Sequence, residues 1–148
     1  MGYWKSGVIG AVIVGGLIGV AAYAAEKDPT VPRVPEAQRA AAKKMKNPIP
    51  NTPENIAKGK AIYTGKGTCF NCHGTSGKGD GPAGQILNPT PRNFTNPQFH
   101  KNRTDGEMFW VIKNGSAGTG MVPLIGTAIT EKEAWTVILY ERSFEGKK

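Results

Sequence analysis

The hydrophobic and polar positions divide this chain into three parts of different character. An uncharged run of 20 residues extends from Ser6 to Ala25. At about 1.5 Å per residue, such a helix would span roughly 30 Å, the thickness of a bilayer hydrocarbon core. Residues 26–50 are rich in proline and have no apolar face, whereas helical patterning begins near residue 51. We therefore predict a transmembrane anchor over 1–25, a semi-rigid linker over 26–50 and a folded domain over 51–148.

Three capping patterns predict helices in the last region. Each has a threonine at the N-cap position followed by acidic residues in the first turn, and two of them are complete capping boxes. The predicted helices run from Thr52 to about Tyr63, from Thr104 to about Lys113 and from Thr130 to about Phe144. Residues 74–102 show no sustained period, so we predict loop there. The fold class is all-α, with three to four short helices and long loops.

The uncharged run is longer than the roughly 7 to 15 apolar residues of a secretory signal, which favours an uncleaved anchor. Lys5 on its short N-terminal side indicates that the rest of the chain lies across the membrane. Cleavage after Ala24, within an A-x-A pattern, is the alternative, and it also exports the chain. A ridge of small residues at four-residue spacing favours packing against another transmembrane helix: Gly7, Ala11, Gly15 and Gly19.

Composition and charge narrow the range of functions. The net charge is +8, of which residues 26–50 contribute +3 and residues 51–148 contribute +4. Anionic lipid head groups account for a basic segment beside an anchor. We predict no nucleic-acid partner, because no basic cluster is interleaved with stacking aromatics and export removes such a partner. The two cysteines are three positions apart, which excludes a multi-disulfide scaffold and favours a metal, redox or cofactor site.

The two cysteines belong to the segment Cys69-Phe-Asn-Cys72-His73, which has the C-x-x-C-H pattern of haem c attachment. Two thiols about one helical turn apart can each form a thioether with a haem vinyl group. The histidine directly after them is then positioned as the proximal iron ligand. We therefore predict one covalently bound haem c, with His73 as a metal ligand. The porphyrin would also supply a core for the long loops.

Three other interpretations of the cysteines remain open: a redox pair, half of a zinc site and a structural disulfide. A thioredoxin-like pair needs a βαβ setting, which the patterning does not predict. Zinc needs two further ligands, and the chain offers only His73 and His100 without a second C-x-x-C. Haem is the preferred interpretation.

Residues from about 52 to 145 resemble the class I monohaem cytochrome c family. The matches lie in the first helix, in the haem-edge loops and in the last helix: Gly59 and Tyr63, Gly79-Asp-Gly-Pro82 and Pro91-Arg-Asn-Phe94, and Trp135 to Tyr140. The resemblance implies the family fold, in which the first and last helices cross beside the haem.

The resemblance also implies a sixth iron ligand, Met121, which lies in the segment Gly118-Thr-Gly-Met121. The family usually has proline directly after this methionine, whereas here Val122 intervenes before a proline. His100 or an open position is the alternative, although a loop histidine is more often on the surface. Met108 is predicted to be a core filler on a helix.

Further site residues are predicted around these ligands. The resemblance suggests that Pro91, with Pro89 as its rival, supplies the backbone carbonyl that accepts a hydrogen bond from the unligated nitrogen of His73. Three residues are predicted to form the haem wall, a role that merges with ordinary core packing: Phe94, Trp110 and Leu124.

A haem whose axial positions are both filled by side chains has no site for substrate, and it suits electron transfer. The predicted function is therefore a membrane-anchored carrier that passes single electrons between redox partner proteins on the outer, periplasmic side of the cytoplasmic membrane. No catalytic residue and no small-molecule substrate are predicted. One alternative is a fixed cytochrome subunit of a membrane-embedded oxidoreductase complex, and another is a haem enzyme or gas sensor with a labile sixth ligand.

Electron exchange is expected at the haem edge. This edge is predicted to lie near Phe70, Gly74 and residues 118–122. Four lysines are candidates for the surrounding charges: Lys66, Lys78, Lys101 and Lys113.

Overall fold

The structure is a computed structural model that describes residues 1–2 and 30–147. This part of the chain contains six helices: α1 (Glu36–Lys44), α2 (Pro53–Thr64), α3 (Phe70–His73), α4 (Pro97–Asn102), α5 (Asp105–Asn114) and α6 (Glu131–Arg142). The described residues contain no strand and only one isolated bridge, between Ile125 and Ile129. The predicted helical fold class is therefore confirmed, although residues 51–147 contain five helices where three to four were predicted.

All three predicted helix starts are present. The side chain of Thr52 accepts a hydrogen bond from the backbone of Asn55 at the start of α2. Thr104 with Glu107 and Thr130 with Glu133 form reciprocal capping boxes that open α5 and α6. In each box the hydroxyl and the carboxylate satisfy backbone N–H groups that have no partner within the helix, so the local sequence fixes where the helix begins.

Helices α2 and α6 cross where Gly59 faces the backbone of α6. A Cβ added at Gly59 would lie 2.5 Å from the carbonyl oxygen of Thr136 and 3.0 Å from Cβ of Tyr140. Only a residue without a side chain permits this approach. One turn later on α2, the fully buried Tyr63 packs edge-on against Tyr140, with ring centroids 5.2 Å apart. The crossing of the first and last domain helices agrees with the family fold.

One helix lies inside the segment predicted to be loop. Helix α4 begins with proline at its first position, and the side chain of Asn96 accepts a hydrogen bond from the backbone of Gln98 at 2.9 Å. This is a capping signal of the same kind as the other three. The helix is six residues long, too short to give a helical period.

Residues 30–50 differ from the predicted linker, because they pack on the domain; we call them the N-terminal strap. Val34 and Ala42 are buried, with 2% and 1% of their surface exposed. Helix α1 lies against the first turn of α5, where a Cβ added at Gly106 would overlap the carbonyl oxygen of Ala42. Farther along, the side chain of Asn47 donates to the carbonyl of Trp135 in α6 at 2.9 Å. The strap is thus held at both ends of α1.

The predicted anchor, residues 6–25, lies outside the described residues. Within the described part of the chain, no helix has the length and apolar character needed to cross a bilayer.

Candidate haem site

The cysteine motif lies on a single helical turn that is held from both sides. Helix α3 begins directly after Cys69 and ends at His73. The loop that follows folds back on it, since the backbone of Gly81 donates to the carbonyl of Cys72 at 3.1 Å. On the other side, the buried hydroxyl of Tyr63 donates to the carbonyl of Gly74 at 2.7 Å. Both cysteines are free thiols, and each is partly exposed.

The ring of His73 is fixed in position and tautomer. Its Nδ1 lies 3.0 Å from the carbonyl oxygen of Arg92, and because a carbonyl only accepts, Nδ1 carries the proton and Nε2 the lone pair. Phe94 stacks on the imidazole, with centroids 4.4 Å apart and planes 13° apart. Burial lowers the pKa of His73 to about 4, so the ring is neutral at physiological pH. A neutral imidazole oriented by a carbonyl is what metal ligation requires.

The prediction of Pro91 as the carbonyl partner is wrong by one residue. Pro91 lines the cleft beside His73, but the peptide unit of Arg92 is the one that turns its oxygen towards Nδ1. The rival, Pro89, also lines the cleft without making this contact.

His73 opens onto a cleft that is partly open to solvent, with an empty volume of about 880 Å³ when the solvent-filled mouth is included. Cys72, His73 and Met121 line it, and they also line an adjacent cleft of about 510 Å³ that includes Cys69. The two cysteines and both predicted axial ligands therefore line a pair of neighbouring clefts.

Met121 lies in a loop that its own hydrogen bonds hold. Its carbonyl accepts from the backbone of Ser116 at 2.9 Å, and its N–H donates to the hydroxyl of Thr119 at 3.1 Å. Met108 also lines the larger cleft, from α5, and it is 5% exposed and part of the hydrophobic core. The structure thus brings two methionines to the cleft, one from a loop and one from a helix.

The three predicted wall residues have different positions. Phe94 lines the larger cleft and Leu124 the adjacent one. Trp110 lies in neither lining, which corrects the prediction. Helix α5 instead contributes Met108, Val111 and Ile112 to the lining of the larger cleft. These residues share one face of the helix, and Trp110 lies on a different face.

His100 is buried and is not a surface histidine, which corrects the expectation for a loop position. Its Nε2 lies 2.5 Å from the carbonyl of Phe94, and its Nδ1 lies 3.1 Å from a guanidinium nitrogen of Arg142. Both ring nitrogens are therefore engaged, and His100 is not part of either cleft lining. It serves as a polar link between α4 and α6.

Several polar residues of the larger cleft were not predicted from the sequence. They are three arginines, two glutamates and one threonine: Arg33, Arg92, Arg103, Glu107, Glu141 and Thr90. Burial raises the pKa of the Glu141 carboxyl to about 8. In the sequence, Glu141 can be recognised only by its position within the apolar stripe of α6, where a side chain points towards the core.

The alternatives to haem fit this site poorly. Burial, reinforced by the nearby Glu141, raises the pKa of the Cys69 thiol to about 12, whereas a reactive redox cysteine needs a lowered pKa. Among residues 1–2 and 30–147, no cluster of three or more His, Cys, Asp or Glu side chains is arranged to hold a metal ion.

The same residues fit an iron porphyrin. The larger cleft is largely apolar in its lining and contains Cys72 and His73, whose Nε2 carries a lone pair, and Cys69 lines the adjacent cleft. The lining of the larger cleft also includes three arginines and Thr90, whose buried hydroxyl has no hydrogen-bond partner among the described residues. Haem carries two carboxylate groups, and these can be matched by such cations and donors.

The cytochrome c family model matches residues 56–144. Among solved structures, a chain of the Kuenenia stuttgartiensis reducing HAO-like protein complex Kustc0457/Kustc0458 is similar, with 27% identity and a TM-score of 0.58. The similarity covers 68% of this chain and 49% of that chain, so the match extends over about half of its length. No curated protein sequence matches significantly. This chain therefore belongs to the cytochrome c family, and that membership implies one covalently bound haem c, for which Cys69 and Cys72 are the predicted attachment residues.

Proposed function

We propose that this protein is a membrane-anchored electron carrier that passes single electrons between redox partner proteins on the outer side of the cytoplasmic membrane. A cytochrome c domain is an electron-transfer module. The observation that carries the proposal is the joint position of His73 and Met121 in the lining of the same two clefts. Two side-chain ligands leave no position for a substrate.

The protein contributes by holding its side chains in place. The carbonyl of Arg92 and the ring of Phe94 fix the orientation of His73, and the loop hydrogen bonds of Met121 fix the second proposed ligand. When bound, haem supplies one-electron redox chemistry. A fixed ligand set lowers the rearrangement that accompanies a change of charge, which favours rapid exchange.

Binding of carbon monoxide tests this assignment. The visible spectrum of the ferrous protein is expected to remain nearly unchanged under carbon monoxide, because His73 and Met121 would together leave the iron no free position. Rapid and complete binding would contradict the carrier proposal and would favour the haem enzyme or gas sensor. The control is the same protein denatured in guanidinium, which should bind carbon monoxide readily.

The proposed anchor and location rest on the uncharged run 6–25 and on Lys5 before it. Extraction of membranes with alkaline carbonate should leave the chain in the pellet, and N-terminal sequencing of the mature protein should begin near Met1. Release into the supernatant with a new terminus at Ala25 would instead establish cleavage after Ala24.

A second candidate is a fixed cytochrome subunit of an oxidoreductase complex. The similar solved chain belongs to a multi-protein complex, and the small-residue ridge of the anchor favours contact with another helix. Co-purification in mild detergent should identify any permanent partner. A Gly15→Leu/Gly19→Leu variant that loses this partner while it stays in the membrane would support the fixed subunit, with Ile13→Leu, a change outside the ridge, as the control.

A further inference from the structure

The N-terminal strap contributes directly to the cleft that the cytochrome c domain forms. Arg33 and Val34 both line the larger cleft together with His73. Val34 is only 2% exposed. The family match begins at residue 56, so these two residues come from a segment that precedes the matched domain.

The strap is also connected to the proximal histidine. The guanidinium of Arg92 donates to the carbonyl of Val31 at 2.9 Å, while the carbonyl of the same residue faces Nδ1 of His73 at 3.0 Å. One residue thus joins the backbone of the strap to the ring that ligates iron. Displacement of the strap would therefore also move Arg92, whose carbonyl orients the ring of His73.

Arg33 is a cation at the cleft for which the described residues supply no direct partner. Its side chain is half-buried at the cleft, and no hydrogen-bond or ion-pair partner for it is found within residues 1–2 and 30–147. Thr90 lines the same cleft with a buried hydroxyl that also has no partner in that part of the chain. A half-buried cation and a buried donor at one cleft favour an anionic ligand group.

We propose that the N-terminal strap is part of the haem site and that Arg33, assisted by Thr90, binds a haem carboxylate. Haem carries this group in the cofactor itself, so no additional ligand is needed. The strap then acts as a positioning element for the haem, and its docking and the binding of haem stabilise each other. This role is independent of whether the protein is a mobile carrier or a fixed subunit.

The first test compares Arg33→Gln with Arg33→Lys and with Lys44→Gln, which removes the same charge from an exposed position of the strap. Loss of a cation beside the haem favours the more positive ferric state, so Arg33→Gln should lower the reduction potential. It should also raise the pKa of the haem carboxylate and move the pH-dependent part of the potential to higher pH. Arg33→Lys should largely restore both properties.

Resonance Raman bands of the propionate bending modes give a direct readout, because they report hydrogen bonding to the carboxylates. These bands should shift in Arg33→Gln and stay unchanged in Lys44→Gln. The proposal is overturned if the two variants have the same potential, the same pH profile and the same propionate bands. Circular dichroism of each variant establishes that the fold is retained.

The second test displaces the strap without changing any charge. In Gly106→Ala the new Cβ would overlap the carbonyl of Ala42 and lie 2.8 Å from Cβ of Met45, so α1 should separate from α5. Trypsin should then cleave faster at the exposed Lys43 and Lys44, and the propionate bands should change as in Arg33→Gln. Faster cleavage with unchanged propionate bands would show that the strap does not reach the haem, and would overturn the proposal.

Discussion

At the scale of single residues, the ring of His73 is prepared for ligation by the fold. The carbonyl of Arg92 determines which nitrogen carries the proton, and Phe94 restricts the rotation of the ring. The apolar surroundings disfavour the imidazolium. Little of the ligation free energy is therefore spent on deprotonating or reorienting this side chain.

Replacement of each cleft methionine tests the choice of sixth ligand. Met121→Ala should lower the reduction potential, abolish the charge-transfer band between thioether and iron and admit carbon monoxide. Met108→Ala should keep the band and reduce the free energy of unfolding by about 2 to 5 kcal/mol, because a buried side chain is removed from the core. Exchange of these two phenotypes, measured by absorption spectroscopy and denaturant unfolding, would assign the ligand to Met108.

Glu141 makes stability depend on pH. Its folded-state pKa is raised to about 8, chiefly by burial and further by Asp105, whereas the unfolded carboxyl titrates near its ordinary value. Between about pH 4.5 and 8 the folded state therefore holds a proton that the unfolded state has lost. The free energy of unfolding should fall as pH rises through this window, by up to about 1.4 kcal/mol per pH unit.

In Glu141→Gln this slope should be much smaller, since the amide does not titrate. Unfolding by guanidinium at pH 5, 6, 7 and 8 measures it. The control is Glu145→Gln, which changes an exposed carboxyl a few residues later and should keep the wild-type slope. Parallel pH profiles for all three proteins would exclude Glu141 as the source.

At the scale of elements, the contact between α2 and α6 depends on Gly59. On helix propensity alone, Gly59→Ala would stabilise α2 by about 1 kcal/mol. The added Cβ would instead lie 2.5 Å from the carbonyl of Thr136, so we expect a net destabilisation of about 1 to 3 kcal/mol. Lys58→Ala, at the neighbouring exposed position, should change the free energy of unfolding by less than about 0.5 kcal/mol. A stabilised Gly59→Ala protein would contradict the close crossing.

The helices with caps were predictable because their signals are local. A hydroxyl and a carboxylate three residues apart determine the start of α5 or α6 without reference to the rest of the chain. The docking of the strap was not predictable, because its contacts involve isolated residues such as Val34 and Ala42 and not an apolar stripe. Their partners, including Gly106, are more than 60 residues away, and spacing in the sequence does not reveal such pairs.

The residues of the cleft were likewise predictable only where their signal is local in the sequence. Cys69, Cys72 and His73 form one contiguous motif, and this motif predicted the cofactor. The carbonyl partner of His73 depends on the exact turn of the peptide chain, so Arg92 was missed by one position. The polar residues that line the cleft come from the strap, from loops and from helices. They are far apart in the sequence, and only the tertiary structure brings them together.

At the scale of the whole molecule, the distribution of charge bears on how partners are found. Lys66 pairs with Glu133 and Lys113 pairs with Glu131, each at 2.6 Å. These two pairs reduce the field that the lysines present to a partner. Lys78 and Lys101 are exposed and are the better candidates to guide docking.

For a mobile carrier with an anionic partner, the rate of electron exchange should fall as salt is raised from about 0.01 to 0.15 M, where the screening length shortens from about 30 to 8 Å. Stopped-flow measurements with a redox partner isolated from the same membranes test this. Lys78→Gln should weaken the salt dependence more than Lys66→Gln. A rate that does not change with salt would favour the fixed subunit.

If the proposed anchor lies in a bilayer, the docked strap limits how far the haem can travel from it. A free linker over 26–50 would have let the domain reach about 80 Å from the membrane surface. Val31 is bonded to the domain through Arg92, and only five residues, 26–30, lie between it and the end of the proposed anchor at Ala25. This tether would span about 20 Å at full extension. With the anchor in the membrane, an electron donor or acceptor would have to present its own cofactor close to the lipid surface, and proteins that extend their redox centres far into the aqueous compartment would be out of range.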